Sequence, residues 1–570
     1  MAKYYLFLIC TFIFISAFAQ APDIAKDNTI EYARIPLPDG DSLSAVIVIS
    51  KTANNPLPAI LMYSIYASEK NDLARAAIAA NMGYAGVVVN TRGMNKSKSS
   101  VEPFKHDAED AWHMLDWISK QKWCDGQIGM YGGSYVGFSQ WAAAKSGHPA
   151  LKTIVPQAAV GVGIDFPAHN GIFSVYSLKW LNNIMDAKMY EAKNFGGKSL
   201  HKAIDRWAGK GLAFRVIDSL AEGPNNVYRE WLGNPSYNGY WQKMVPYKEE
   251  FAAINIPVLT TTGYYDADQL GALYYYKEHL KYNPSAEHYL IMGPYDHFGA
   301  QGMQGEKVLN YPLPEKARLN FYKVIFQWFD YVLKGKDKPD VLKDKVNYQV
   351  MGTEEWRSAP SLEQMGTATL KFYLSNEKAG IAYRLATSPP AATGGTTQKI
   401  DFKNNSEYGR SIYNNEIVTR KLRPGGIQFV SEPLAEGLII NGNMRGELHA
   451  IVNKKDMDIV MELFELTSGG DFISLSHFLG RASYTKDRAT RHLLIPGATE
   501  TIPFENSYLI SKKINAGSRL VVVLGINKNQ NSQVNYGTGK DVSDETREDA
   551  KEPLEVQWLN SSIISIPVLP

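Results

Sequence analysis

Gly132-Gly133-Ser134-Tyr135-Val136-Gly137 is the stretch on which the reading of this chain turns. It follows a short apolar run at 128–131 and leads into 138–145, which has the pattern of a helix. A serine on a sharp strand-to-helix turn leaves no room for bulky neighbours, so glycines flank it. Such a turn lifts the hydroxyl above a sheet and aims the next amide, that of Tyr135, at the same space. Short glycine–serine patterns recur by chance and are more often only turns. The weight therefore falls on whether a base and an acid arrive at the same place.

A serine hydroxyl attacks only when a base takes its proton, usually a histidine oriented by a carboxylate. In hydrolases of the strand–turn–helix type the chain order is serine, acid, histidine. Here Asp266 follows the apolar run 259–262, and His297 follows the next run, 289–292. Both are expected at the C-terminal edge of a sheet, together with Ser134. His106 and His148 are rival bases, one before a helix and one in a Gly-His-Pro turn. Asp268 and Asp296 are rival acids, neither placed directly after its strand as Asp266 is. Two donors are expected for the oxyanion, the Tyr135 amide and the Tyr66 hydroxyl in the loop after the run 58–63. The alternative for Tyr63 and Tyr66 is simple packing beneath a covering segment.

Outward from this motif, residues 30–50 alternate around an Asp39-Gly40 turn as a hairpin does. Runs at 58–63, 84–90, 128–131, 153–159, 257–262 and 287–292 read as buried strands. Helical patterns at 72–82 and 107–120 lie between them, the latter with Ala108, Ala111, Trp112, Leu115 and Ile118 on one face. Alternating strands and helices predict a parallel sheet covered on both faces. The helical stretch 170–250 carries no strand pattern and is expected as a cap over the sheet's C-terminal edge, where open α/β sheets bind ligands. The strong helix at 317–333 is followed from 345 to 570 by short alternating runs, a β-sandwich of jelly-roll type. The stretches 390–410 and 526–552 read as exposed loops. The predicted fold class is thus α/β, with a hydrolase-like unit at 20–335 and an all-β unit at 345–570.

With 570 residues, 45% apolar content and a formal net charge of +2, the chain has core enough for two or three domains and lacks a basic footprint for nucleic acid. Met1-Ala2-Lys3, an apolar run over 6–18 and Ala17-Phe18-Ala19 read as a signal peptide, residues 1–19. That predicts export to the periplasm or the exterior, with no stable membrane insertion after cleavage. Cys10 lies within the leader, so Cys124 is left alone, with neither a disulfide nor a cysteine metal site. No metal, nucleotide or other cofactor site is expected, and a homo-oligomer is compatible with the sequence.

In its motifs the chain resembles the family of cocaine esterase, glutaryl-cephalosporin acylase, α-amino acid ester hydrolase and Xaa-Pro dipeptidyl peptidase. The resemblance rests on the serine motif with its Tyr135, on Asn90-Thr91-Arg92-Gly93, Trp123-Cys124-Asp125-Gly126, Gly263-Tyr264-Tyr265-Asp266 and Gly293-Pro294-Tyr295-Asp296-His297, and on residues 327–335 and 350–352. It implies an α/β-hydrolase domain, a helical cap and a C-terminal jelly roll. It also implies Ser134, Asp266 and His297 as triad, with Tyr66 and Tyr135 at the oxyanion hole. Ile65 stands where relatives often have proline, and Asp296 where they often have serine or arginine.

Within that family, His169-Asn170-Gly171 is similar to a segment of the α-amino acid ester hydrolases, which keep carboxylates for the substrate's ammonium. Asp268 and Asp165 are the corresponding acids here, and Gln269 stands where a third is expected. The alternative for Asp268 is a helix cap. The reading favours small α-amino acyl esters or amides, with acylase or dipeptidyl-peptidase activity as alternatives. A non-catalytic envelope protein with a glycan-binding jelly roll is the alternative of a different class.

Overall fold

Leu61 and Tyr63 point to one face of a buried sheet, Ile60 and Met62 to the other, and the whole first unit is organised by that alternation. The computed structural model describes residues 24–185, 197–391, 393–404 and 416–570; the expected leader at 1–19 lies outside them. Among the described residues no helix is long and apolar enough to cross a membrane.

The sheet has ten strands. They are β1 (Asn28–Pro36), β2 (Ser42–Ser50), β3 (Leu57–Ser64), β4 (Ala85–Asn90), β5 (Cys124–Ser134), β6 (Leu151–Ala159), β7 (Val258–Tyr265), β8 (His288–Asp296), β9 (Val346–Gln349) and β10 (Trp356–Ala359). Their spatial order is β1-β2-β4-β3-β5-β6-β7-β8-β9-β10. The strands from β4 to β9 run parallel, and β1, β2 and β10 are antiparallel additions at the edges. Parallel pairing needs crossovers, supplied by α1 (Glu69–Asn81), α2 (Asp107–Ser119) and α3 (Tyr135–Ser146). Trp112, expected on the apolar face of α2, is instead 42% exposed and lies edge-on to His148.

Between β6 and β7 the chain leaves the sheet through α4 (Val175–Met185), α5 (Lys198–Lys210) and shorter helices such as Asn226–Leu232. This insertion is apolar where it meets the loop before α2: Trp180, Trp231 and Phe166 surround Phe104 with ring centroids 5.8–6.0 Å from it. Helix α6 (Gln269–Tyr282) and α7 (Phe321–Lys334) complete the two layers. The helix expected from 317 begins at Phe321, because residues 315–317 form a tighter turn and Asn320 caps the true start.

The second unit is all-β, with nearly every strand paired antiparallel. The chain is thus an α/β domain with a helical insertion, joined to a C-terminal all-β jelly roll. The stretch 526–552 is not the exposed loop expected. Asn527, Gln533, Asn535, Ser543 and Glu545 are each at most 1% exposed. Its polar side chains bond to one another and to backbone: Gln533 Nε2 donates to Ser543 Oγ at 2.7 Å, and the Tyr536 amide to Glu545 at 2.7 Å. Polar composition satisfied internally does not need solvent.

Beneath β7 and β8 lies a buried histidine pair. His279 Nε2 faces the Ile254 carbonyl at 2.9 Å and must donate to it. His279 Nδ1 then accepts from His288 Nδ1 at 3.1 Å, and His288 Nε2 accepts from the Thr260 hydroxyl at 2.8 Å. Both rings are neutral in this chain of bonds, and burial holds both below the ordinary value of 6.5. The unfolded rings take up protons below that value while the folded ones do not, so this part of the stability is complete above pH 6.5 and lost as pH falls. The melting temperature of His288→Gln should therefore fall less steeply below pH 6.5 than that of the wild type. Equal slopes would refute this account.

Candidate active site

β5 ends on Ser134, whose backbone sits at φ 63°, ψ −125°, and α3 begins on the next residue. Such a left-handed conformation costs a non-glycine residue on the order of 1–3 kcal/mol. Close packing enforces it. A Cβ on Gly137 would lie 2.8 Å from the Ala159 Cα, so α3 can approach β6 only with glycine there. A Cβ on Gly133 would meet the Gln301 side chain at 2.2 Å. Gln301 in turn donates to the His297 carbonyl at 2.8 Å, so one glutamine bridges the serine turn and the histidine loop.

Tyr135 opens α3, and first-turn amides have no acceptor within their own helix. Its side chain is elsewhere engaged: the hydroxyl donates to Asp107 at 2.8 Å and accepts from the Phe104 amide at 3.1 Å. Burial pushes Asp107 up to about 7, and the tyrosine bond opposes that rise. The tyrosine thus anchors the turn through its ring and offers the site only its amide. Tyr66 Oη, the other donor expected, lies 3.5 Å from Ser134 Oγ. Trp180 of α4 donates its indole N–H to the same Tyr66 oxygen at 3.3 Å. An indole can only donate, so the Tyr66 oxygen accepts that bond, and either hydroxyl can be the donor between Tyr66 and Ser134.

Asp266 follows β7, fully buried, and His297 follows β8. His297 Nδ1 donates to Asp266 Oδ1 at 2.8 Å. The same carboxylate oxygen accepts the Asp268 amide at 3.0 Å, and the other accepts the Thr262 hydroxyl at 2.8 Å. Of the rivals, His148 lies against α2 beside Trp112, and His106 bonds Glu102. Asp296 accepts the Gly299 amide at 2.7 Å and shapes the histidine loop.

Asp268 Oδ2 lies 3.6 Å from His297 Nδ1, and ligand atoms of Asp266, Asp268 and His297 all fall within 4.8 Å of one another. Two carboxylates therefore face one imidazole. Burial alone would lower the imidazole, but Asp268, then the Asp266 bond and charge, and then Asp296 raise it to about 9. Burial likewise raises Asp268 to about 7, with His297 pulling the other way.

Asp268 occupies the N-cap position of α6 but makes no side-chain cap bond. Asp165 does that work: its two oxygens accept the amides of Gly161, at 2.9 Å, and of Gly271 in the first turn of α6. Burial, and next the charge of Asp268, push Asp165 well above the carboxylate range. The helix-cap explanation thus applies to Asp165, not to Asp268. Gln269, where a third acid is expected, is fully buried and bonds the backbone of Leu509 in the β unit. Trp180 and Gln301 have no local signature in the sequence, since each acts through a partner more than a hundred residues away.

Residues 39–299 match the family described as X-Pro dipeptidyl-peptidase (S15 family). Residues 341–555 match the X-Pro dipeptidyl-peptidase C-terminal non-catalytic domain. The chain is 25% identical over 511 residues to cocaine esterase of Rhodococcus sp. (strain MB1 Bresler), covering 81% of this chain and 84% of that protein. An α-amino acid ester hydrolase structure superposes with a TM-score of 0.80 at 21% identity, over 97% of this chain and 100% of the other. An aminopeptidase from the marine sediment archaeon Thaumarchaeota archaeon does so at 0.79 and 20%, over 95% and 97%. At such identities the structures speak for the fold. The two family matches follow one another along most of the sequence, and together with cocaine esterase they support a serine hydrolase similar to the S15 family.

Proposed function

We propose that this chain is an exported hydrolase of small α-amino acyl esters or amides, working through an acyl-enzyme on Ser134. The leader at 1–19 is removed, and the catalytic unit spans 20–335, its cap at 170–250 and the jelly roll at 345–570. Neutral His297 takes the Ser134 proton as the hydroxyl attacks, and Asp266 holds the imidazole by its other nitrogen. The Tyr135 amide and the Tyr66 hydroxyl receive the oxyanion. His297 then protonates the leaving group, and water releases the acyl group by the same steps in reverse order.

The observation that carries the substrate class is Asp268, a largely buried carboxylate beside His297 with no cap to serve. A substrate ammonium is the charge that such a group lacks. It would also relieve the pull of Asp268 on His297, so the base loses its proton at lower pH. A glutaryl group brings a carboxylate, which Asp268 opposes. A dipeptide amine fits the same acid and is the second reading, supported by the S15 match.

A panel of amino-acid esters, their des-amino analogues, cephalosporin amides and Xaa-Pro anilides tests this. Amino esters are expected to be preferred by about 10–100-fold over des-amino analogues, the worth of one charge-assisted bond. The acidic limb of kcat should lie at lower pH for amino esters than for their des-amino analogues. Asp268→Asn should erase both differences. Equal turnover of the two series by the wild type would sink the α-amino reading.

A further inference from the structure

The loop that carries Asp266 is held both by its own domain and by the C-terminal β unit. Tyr265 Oη donates to the Ser474 carbonyl at 2.9 Å. Tyr508 Oη donates to the Ala267 carbonyl at 2.8 Å, between Asp266 and Asp268. The Gln269 side chain pairs with the backbone of Leu509 in both directions: the Leu509 amide donates to Oε1 at 2.7 Å, and Nε2 donates to the Leu509 carbonyl at 3.1 Å. The same Nε2 donates to the Gly263 carbonyl of β7 at 2.9 Å. Three of the five residues from 265 to 269 are thus fastened across the domain interface by side-chain hydrogen bonds, and the unfastened pair are the two acids.

Tyr508 is itself fixed. It is 2% exposed and stacks between His477, with ring centroids 3.9 Å apart, and His169 of the insertion, at 6.1 Å and 5° between planes. Burial holds both imidazoles far below their ordinary value, so two neutral rings flank the phenol. One side chain of the β unit is therefore gripped by the insertion and by its own sheet, and its hydroxyl reaches the acid loop.

We propose that Tyr508 and Gln269 are positioning residues, through which the β unit sets the alignment of Asp266 with His297. Small displacements of a catalytic group cost far more than the contact that prevented them. This inference rests on the reading of Asp266 as the orienting acid.

The test uses the full chain. Tyr508→Phe keeps the ring in its stack and removes only the hydroxyl. Turnover of an ester is counted per site titrated with a fluorophosphonate, so that unfolded protein is not scored. The expected result is a kcat about tenfold below wild type, a KM changed less than twofold, and an acidic limb of kcat/KM shifted to lower pH as the Asp266–His297 bond loosens. Gln269→Met removes three hydrogen bonds at nearly constant volume and should show the same split, giving a second arm if the first variant folds poorly. Wild-type kcat per titrated site and an unmoved acidic limb in either folded variant would overturn the proposal. A purely structural role gives that outcome, with fewer titratable sites and each one fully active. Failure of the underlying reading is distinct: the wild type itself would take no label on Ser134.

Discussion

Replacing Ser134 by alanine is expected to lower kcat/KM on every ester the wild type cleaves by about 10⁵–10⁶-fold, with the melting temperature unchanged within a few degrees. The size follows from the division of labour at the site. Without the hydroxyl there is no acyl-enzyme, and His297 has nothing to deprotonate but water. The Tyr66 hydroxyl and the Tyr135 amide persist and should leave a residue of about 10³–10⁴ over the uncatalysed rate. Stability is spared because the Ser134 hydroxyl makes only a long contact, 3.5 Å to Tyr66, and alanine retains the Cβ that the turn already accommodates. Since serine and histidine act as one unit, adding His297→Ala should cost little more. Hydrolysis of an ester panel, together with labelling by a fluorophosphonate, checks this. A Ser134→Ala protein retaining 1% of wild-type turnover would remove Ser134 from the mechanism.

The parts of this architecture that sequence makes legible are those written in local pattern. Strands β3 to β8 appear as apolar runs because they are buried on both faces, and the serine turn appears because Gly133 and Gly137 are demanded by neighbours. Ser134, Asp266 and His297 stand at the ends of such runs, so their common edge follows from the alternation of strands and helices alone. What stays hidden acts across distance. Trp180 reaches Tyr66, Gln301 reaches Gly133, and Tyr508 reaches Ala267 over 241 positions. Polarity misleads in the same way at 526–552, where asparagines and glutamines are satisfied inside the β unit. At the start of α6 the side chain that receives the helix amide comes from Asp165, more than a hundred residues upstream, although Asp268 holds the cap position. A rule based on spacing alone assigns the wrong acid there.

Asp268 governs the response to a change at Asp266. In a serine triad, an asparagine in place of the aspartate commonly costs about 10⁴, because its NH2 group faces the histidine and forces the wrong tautomer. Here the expected loss in kcat/KM for Asp266→Asn is smaller, about 10²–10³. The oxygen facing His297 also accepts the backbone amide of Asp268 at 3.0 Å, and an amide N–H cannot turn round to accept. The other oxygen meets the Thr262 hydroxyl at 2.8 Å, which can rotate and accept from an NH2. Asparagine is thus steered to present its oxygen to His297, and the productive tautomer survives. What is lost is the charge, and Asp268 at 3.6 Å supplies part of it. Removing that charge as well, in Asp266→Asn/Asp268→Asn, should restore the loss to about 10⁴, more than the product of the single effects on a des-amino ester. The coupling is measurable as a double-mutant cycle in kcat/KM with that substrate. The acidic limb, set by His297 near 9, should step downward in pH with each carboxylate removed, because each holds the imidazolium in place. A single variant already down by 10⁴, or a double variant no worse than Asp266→Asn, would show that Asp268 plays no part in holding the base.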